Sequence, residues 1–174
     1  DLFSQAEHDE LAQPILISKS HLLIESVFNS MKKLLPRMSR KKIIMESIKN
    51  RGLFIKTNSD SETANIVNTI APEHLELMYH DKKFLKQIRN AGAIFLGENS
   101  PEVFGDYCAG PNHVLPTSGS ARFSSPLGVY DFLKRSSVIN ISKKDANVLS
   151  KISSVLADAE GLQAHALSAK ISGK

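Results

Sequence analysis

Apolar residues follow two different spacing patterns along the chain, and each pattern predicts a different secondary-structure element. Short apolar runs rich in β-branched or aromatic residues predict strands, at residues 14–18, 52–56, 91–96 and 137–141. Apolar residues spaced three and four apart predict helices, at residues 20–34, 39–48, 59–70, 84–88, 145–157 and 160–169. Ser20, Ser39 and Ser59 are placed to cap three of these helices. The run from Leu75 to Tyr79 fits a strand or a helix.

The alternation of strands and helices predicts an α/β fold. Such spacing indicates βαβ units and a mostly parallel sheet, and we expect the four strands to share one sheet. Residues 1–142 form the predicted α/β domain, and residues 143–174 a helical tail that stands as a separate appendage. Neither Gly-x-Gly-x-x-Gly nor a Walker-type loop is present, so the sequence has no phosphate-binding signal of its own.

Composition narrows the class of protein. The chain has 174 residues, 41% of them hydrophobic, which is enough to bury a core, and no apolar run long enough to span a membrane. No signal peptide opens it, and a single cysteine, Cys108, excludes an internal disulfide and indicates a reducing compartment such as the cytoplasm. The net charge of +4 is too small to imply nucleic acid. Because the chain starts Asp1-Leu2-Phe3 without methionine, we expect a fragment of a longer protein.

The stretch from Gly105 to Thr117 is the strongest candidate for an active site. It contains Asp106, His113, two glycines and two prolines, and its flanks are rich in turn-forming residues. Long loops inside compact domains are usually functional or disordered. Apolar residues within and beside it, such as Tyr107 and Val114, argue for order. We therefore predict an ordered, functional loop.

Several polar residues could bind a metal or transfer protons. Gln5 and His8 are three residues apart, so they would share one face of a helix. Asp106 and His165 are further, isolated candidates. Imidazole nitrogen, carboxylate oxygen and amide oxygen together can complete the ligand set of a zinc ion. Spacing alone leaves open that each is a surface polar group or a helix cap. Glu73 and His74, after Pro72, could form a proton-transfer pair, or they could simply start a helix.

Two other features favour structural interpretations. The basic residues between Lys32 and Arg51 have few aromatic neighbours, so a solvated helix face is favoured over a nucleic-acid surface. Cys108 has no CxxC partner and is predicted to be a small buried residue rather than a nucleophile.

Four blocks in one order closely resemble the histidinol dehydrogenase family. The long central block runs from Gly92 through Gly105-Asp106-Tyr107 and Asn112-His113-Val114-Leu115-Pro116-Thr117 to Ala121-Arg122-Phe123. The shorter blocks are Gln5-Ala6-Glu7-His8-Asp9, Ala71-Pro72-Glu73-His74-Leu75-Glu76-Leu77 and Glu160-Gly161-Leu162-Gln163-Ala164-His165. Each short block is modest evidence, but the long block and the common order make the resemblance specific.

This resemblance implies a zinc enzyme that oxidises L-histidinol to L-histidine with two NAD⁺, the last step of histidine biosynthesis. It implies that the zinc ligands, which also contact substrate, are Gln5, His8, Asp106 and His165. Glu73 and His74 would be the acid–base pair, with His74, His113 and Glu160 at the substrate. It further implies a C-terminal piece of a Rossmann-like enzyme that is inactive alone. Most NAD⁺ contacts would lie outside the piece, and the tail would reach into the site of the other subunit of a homodimer.

Two further functions remain open at this point. A non-catalytic module could keep affinity for metal or substrate without redox activity. A basic nucleic-acid-binding domain would show binding that weakens with salt, but the aromatic residues that such a domain interleaves with its basic ones are lacking.

Overall fold

The computed structural model describes residues 1–78 and 81–173, which divide into two compact units, 1–131 and 132–174. The predicted boundary after residue 142 stays a prediction. No helix within the described residues is long and apolar enough to cross a membrane.

Four short strands among the described residues of the first unit form parallel pairs. They are β1 (Ile15–Ser18), β2 (Leu53–Lys56), β3 (His74–Leu77) and β4 (Ala93–Leu96). β1 pairs with β2, and β3 pairs with β4, both in parallel. The predicted α/β class is confirmed, but the prediction of one sheet is wrong, because the described strands form two separate two-stranded sheets. Pattern identifies a strand, whereas its choice of neighbour depends on contacts between distant segments.

Helices connect and cover these strands. Those of the first unit are α1 (Leu2–Ala6), α2 (His21–Leu34), α3 (Lys41–Arg51), α4 (Asp60–Ile70), α5 (Lys82–Leu85) and α6 (Glu102–Tyr107). Short 3₁₀ turns span Leu35–Arg37, Ser120–Arg122 and Val129–Phe132. The predicted caps Ser20 and Ser59 are confirmed, since each hydroxyl accepts a bond from a backbone amide in the first turn. The predicted cap at Ser39 is wrong, because α3 begins later and its N-cap position is Arg40.

The end of α4 determines where β3 begins. Ala71 closes the helix in the left-handed conformation, with φ of 51°, and Pro72 follows. A left-handed residue followed by proline is a typical helix stop. The alternative that Glu73 and His74 start a helix is therefore wrong: Glu73 lies in a bend, and His74 is the first residue of β3. The run from Leu75 is thus a strand as far as Leu77, and Tyr79 lies outside the described residues.

Side chains of β3 alternate between the core and the opposite face of the β3–β4 pair. Leu77 is 6% exposed and forms a core with Ala64 of α4 and Phe84 of α5, against which Leu75 also packs. Because successive strand residues point to opposite faces, His74 and Glu76 share the other face. The buried Leu77 and the partly buried Leu75 thereby fix the direction of the two polar side chains.

α6 lies on the face that His74 and Glu76 share. The predicted loop from Gly105 to Thr117 is wrong at its beginning, because Gly105 and Asp106 belong to this helix. A Cβ atom added to Gly105 would come within 2.6 Å of Cε1 of Phe95, which pairs with Glu76 in the sheet register. The missing side chain of glycine thus permits close contact between α6 and β4.

The second unit is helical where it has regular structure. α7 (Lys143–Ala159) and α8 (Gln163–Ser172) pack against each other. The predicted strand at residues 137–141 is wrong: the segment has no regular structure, with Val138 and Ile139 at 92% and 80% exposure. β-branched residues favour a strand only where a neighbouring strand and a packing surface exist, and the described residues offer this segment no paired strand.

Replacing Gly105 with alanine tests the close approach of α6 to β4. The added methyl group collides with the Phe95 ring, so the free energy of unfolding should fall by about 1–3 kcal/mol, the usual effect of overpacking. Urea titration measures the change. The double variant Gly105→Ala/Phe95→Leu, with a smaller side chain at the contact, should recover part of the loss. Purely additive effects would show that the two residues do not touch.

Candidate active site in the first unit

Three titratable side chains converge where β3 meets α6. His74 Nε2 lies 3.7 Å from Asp106 Oδ1 and 3.9 Å from Glu102 Oε1. Glu102 and Asp106 are four residues apart, which places them on one face of α6. All three side chains are largely shielded from solvent, with 15%, 9% and 21% of their surfaces exposed for His74, Glu102 and Asp106. We call these residues the acid–imidazole cluster.

The His74 ring presents a buried nitrogen that lacks a hydrogen-bond partner. Its Nε2 is the one such side-chain atom among the described residues, and the distances to the two carboxylates are too long for hydrogen bonds. A buried polar atom without a partner costs free energy, and such atoms in native proteins call for a specific explanation. A bound metal ion, or a substrate proton transferred to the nitrogen, would satisfy it.

The environment of Glu102 favours its protonated form. Burial raises the pKa of Glu102 to about 7, and the neighbouring Asp106 carboxylate adds to the rise through hydrogen bonding and like charge. The charge of Glu76 also raises it. Glu102 can therefore hold or release a proton near neutral pH.

Part of the predicted loop joins the site through backbone contacts. His113 Nδ1 lies 3.3 Å from the carbonyl oxygen of Asp106, and Asn112 side-chain oxygen accepts a bond from Val114 N at 2.8 Å. The exposed His113 ring therefore stands beside the residue that also contacts His74.

Other predicted site residues lie elsewhere in the structure. Gln5 is in α1 and the exposed His8 follows it; neither belongs to the acid–imidazole cluster. Glu73 directly precedes β3, and its carbonyl oxygen accepts a bond from Ala93 N at 2.8 Å. Glu160 and His165 are exposed residues of the second unit. Their roles as ligands or catalytic groups stay predictions.

Sequence reasoning missed Glu102, the most buried acid of the cluster. The signal lies in its spacing of four from Asp106, but that spacing is informative only on a helix, and the sequence predicts a loop from Gly105 onward. Two other expectations have clear outcomes. Cys108 is exposed, so the prediction of a buried cysteine is wrong: it follows the last turn of α6, where the chain leaves the core. The basic residues between Lys32 and Arg51 are all exposed, as predicted for a solvated face.

The cluster has the donors for a divalent metal and the groups for proton transfer. One oxygen or nitrogen from each of its three residues lies within 4.8 Å of the others. Imidazole nitrogen and carboxylate oxygen suit zinc and related ions. Glu102, whose pKa is raised to about 7, can also exchange a proton near neutral pH. The geometry is compatible with both chemistries at one location.

Comparisons of sequence and of structure with known proteins match the chain to the same family. The family described as histidinol dehydrogenase matches residues 1–172. Histidinol dehydrogenases of Nitrosospira multiformis and Pseudomonas aeruginosa are 57% and 56% identical to the chain over 171 residues, covering 98% of it. A crystal structure of histidinol dehydrogenase from Elizabethkingia anophelis superposes with a TM-score of 0.90 at 31% identity, over 98% of the chain.

The match covers only part of each relative. The aligned region is 39% of the two bacterial sequences and 40% of the crystallised chain. The chain therefore spans about two fifths of the length of these relatives.

Replacing Glu102 with glutamine tests the electrostatics of the cluster. The pKa of Glu102 rises from its ordinary 4.5 to about 7 in the fold, so the folded state favours the protonated acid. The contribution of Glu102 to the free energy of unfolding should therefore decrease as pH rises from 4.5 through 7. The glutamine variant should show no such decrease, because its side chain does not ionise. The difference between the two pKa values corresponds to about 3 kcal/mol.

Urea unfolding at pH 4 and pH 8, with chelator present, gives the measurement. The glutamine variant should gain stability relative to wild type at the higher pH. If the difference in free energy of unfolding between the two proteins is the same at pH 4 and pH 8, the pKa of Glu102 is not raised in the folded protein.

Proposed function

The chain belongs to the histidinol dehydrogenase family, and from that premise we propose that it is part of a longer enzyme that oxidises L-histidinol to L-histidine. The proposal includes two NAD⁺ per reaction, a zinc ion and a homodimer, acting in the cytoplasm. The observation that carries it is the buried, unpartnered Nε2 of His74 beside two carboxylates, one of them on the predicted zinc ligand Asp106.

His74 is the proposed base for both oxidations. In the first oxidation, the alcohol hydroxyl of histidinol would give its proton to His74 Nε2, and NAD⁺ would supply the oxidant that takes up hydride from the carbon bearing that hydroxyl. Water would then add to the aldehyde. After His74 has released its first proton to solvent, it would take a hydroxyl proton from the hydrate, and the second NAD⁺ would take up the hydride, which gives the carboxylic acid. An imidazole titrates near neutral pH, as a base for such steps requires. Because Nε2 has no hydrogen-bond partner within the described residues, it is free to accept the proton.

Glu73 is the proposed activator of water in the second stage. It directly precedes His74, is half-buried, and is the partner of His74 in the acid–base pair that the family resemblance implies. A carboxylate that takes a proton from water as the oxygen attacks the aldehyde supplies general base catalysis.

Gln5, His8, Asp106 and His165 are the proposed zinc ligands. Their nitrogen and oxygen donors suit this ion, which would supply a fixed attachment point for the imidazole and amine of histidinol. His113, beside the Asp106 backbone, and Glu160 would contact the substrate. The proximity of Asp106 to His74 supports the arrangement, since a substrate held at Asp106 would present its hydroxyl to the base.

The geometry of the acid–imidazole cluster also supports a different metal arrangement. His74, Glu102 and Asp106 already have donor atoms close enough to share one ion. In that arrangement His74 would be a ligand and could not act as the base. The two arrangements differ in what happens to bound zinc when the imidazole is removed.

A non-catalytic role applies most directly to the chain by itself. It spans about two fifths of the length of its relatives, so it could bind metal or substrate without turnover. We propose no nucleic-acid function, since the family match is to a dehydrogenase and no feature of the described structure adds to the weak basic signal.

The activity is tested with the full-length protein that contains this chain. It should form NADH from NAD⁺ with L-histidinol, while residues 1–174 alone should not. His74→Ala should reduce kcat by about 10²–10⁴-fold, the usual contribution of an acid–base group. His21→Ala, a surface histidine paired with Glu25, serves as the control. Near-normal turnover by His74→Ala would exclude His74 as the base.

Mixing experiments test whether two chains share each site. Full-length His165→Ala and His8→Ala proteins should each lack activity and bind zinc weakly. If His165 is contributed by the neighbouring subunit, heterodimers of the two variants contain one intact site. Zinc and turnover should therefore reappear after dissociation and reassociation. Heterodimers that form but recover neither would place His165 in its own chain's site or outside any site.

A further inference from the structure

We propose that Glu76 is a positioning residue: its carboxylate caps α6 from the neighbouring strand and thereby holds Glu102 and Asp106 against His74. The structural part stands on the geometry of the cluster, and its kinetic consequence rests on the proposed function. The inference assigns a task to an acid that neither binds metal nor touches substrate in that proposal.

α6 has no cap of its own. Its N-cap residue is Pro101, which has no side-chain acceptor, and no side chain bonds to the helix from that position. The first amide of the helix, Glu102 N, donates instead to Glu76 Oε1 at 2.8 Å. A carboxylate is a strong acceptor at such a place, because the bond is charge-assisted and the helix start is partially positive. Glu76 therefore does from another segment what an N-cap aspartate does locally.

The bond links the two elements that carry the cluster. Glu76 lies two residues from His74 on the same face of β3. It holds the backbone of Glu102, whose side chain is part of the cluster, and Asp106 follows one turn later on the same face. The contact between Gly105 and Phe95 sets how closely α6 approaches the sheet, while the Glu76 bond fixes the position of its first turn. Together they determine the separation between the imidazole and both carboxylates.

Loss of the Glu76–Glu102 hydrogen bond should make the positions of the residues in the acid–imidazole cluster less fixed, while the hydrophobic core stays packed. Leu75 and Leu77, the neighbours of Glu76 in β3, stay packed on the opposite face. The first turn of a six-residue helix has few other restraints, so Glu102 and Asp106 would shift relative to His74. Small misplacements of catalytic groups can lower turnover by about 10²-fold.

Charge provides a second route by which Glu76 could act, and glutamine separates it from capping. The negative charge of Glu76 contributes to the raised pKa of Glu102. Glutamine keeps an oxygen acceptor of similar reach but removes that charge. Methionine keeps the approximate size and lacks a comparable acceptor.

The control is a carboxylate that makes the same kind of bond elsewhere. Glu62 Oε2 accepts from Asn58 N at 2.7 Å at the start of α4, and Glu62, like Glu76, is half-buried. Glu62→Met removes a comparable carboxylate–amide bond outside the acid–imidazole cluster. It should destabilise the protein without changing the kinetics.

The experiment measures kinetics and amide exchange on the full-length protein. Glu76→Met should lower kcat/KM for L-histidinol by about 10–100-fold, with most of the change in kcat. It should also speed hydrogen exchange at the Glu102 amide at least tenfold, as opening of the helix start becomes easier. Glu76→Gln should restore both to within about threefold of wild type, and Glu62→Met should leave kcat/KM within about twofold, margins set by the usual spread between conservative variants.

Each alternative outcome has a distinct meaning. Wild-type kinetics in Glu76→Met would overturn the capping role. Equal impairment in Glu76→Gln and Glu76→Met would also overturn it and would show that Glu76 acts through its negative charge. If Glu76→Met does not fold, the same comparison is made between Glu76→Ala and Glu76→Gln. If the wild-type protein fails to oxidise L-histidinol, the proposed function is wrong, and unchanged exchange at Glu102 would separately overturn the cap.

Discussion

The alternation of side chains along the four residues of β3 is the constraint on which the site depends. Leu75 and Leu77 are drawn into the core formed with Ala64 and Phe84. Because strand geometry sends adjacent residues to opposite faces, burial of these leucines fixes the direction of His74 and Glu76. A shift of one residue in register would exchange the two faces, so the hydrophobic core determines the direction of the imidazole.

A second element must then approach the polar face closely. Gly105 lets α6 pack against the Phe95 ring, and Glu102 and Asp106 reach His74 from one face of that helix. The cluster brings two acids together in a largely buried place, which raises the pKa of Glu102. Packing buries the two acids, whereas electrostatics disfavours two negative charges in a buried place, as expected where a fold keeps polar groups for binding or chemistry. The unfavourable electrostatic energy is concentrated in carboxylates that a substrate proton or a cation could neutralise.

Local pattern predicts the positions of the longer helices and two of the three proposed caps, whereas it predicts the long-range arrangement poorly. The caps at Ser20 and Ser59 depend on neighbours within one turn, and they were correct. The segment at residues 137–141 has strand-like residues, but no described strand pairs with it. The four strands of the described residues divide into two sheets. Glu102 was missed because its relation to Asp106 exists only on a helix. Asp106 and His74 were recognisable by residue type and family resemblance, whereas their distance of 3.7 Å required the fold.

Zinc content of two full-length variants tests most directly whether His74 is a base beside a metal ligand. His74→Ala and Asp106→Ala proteins are purified, checked for native secondary structure by circular dichroism, and assayed for bound zinc. We expect Asp106→Ala to lose zinc and His74→Ala to retain it at nearly the wild-type ratio. Equal loss of zinc from both folded variants would contradict the role of His74 as a base and make it a metal ligand together with Glu102 and Asp106.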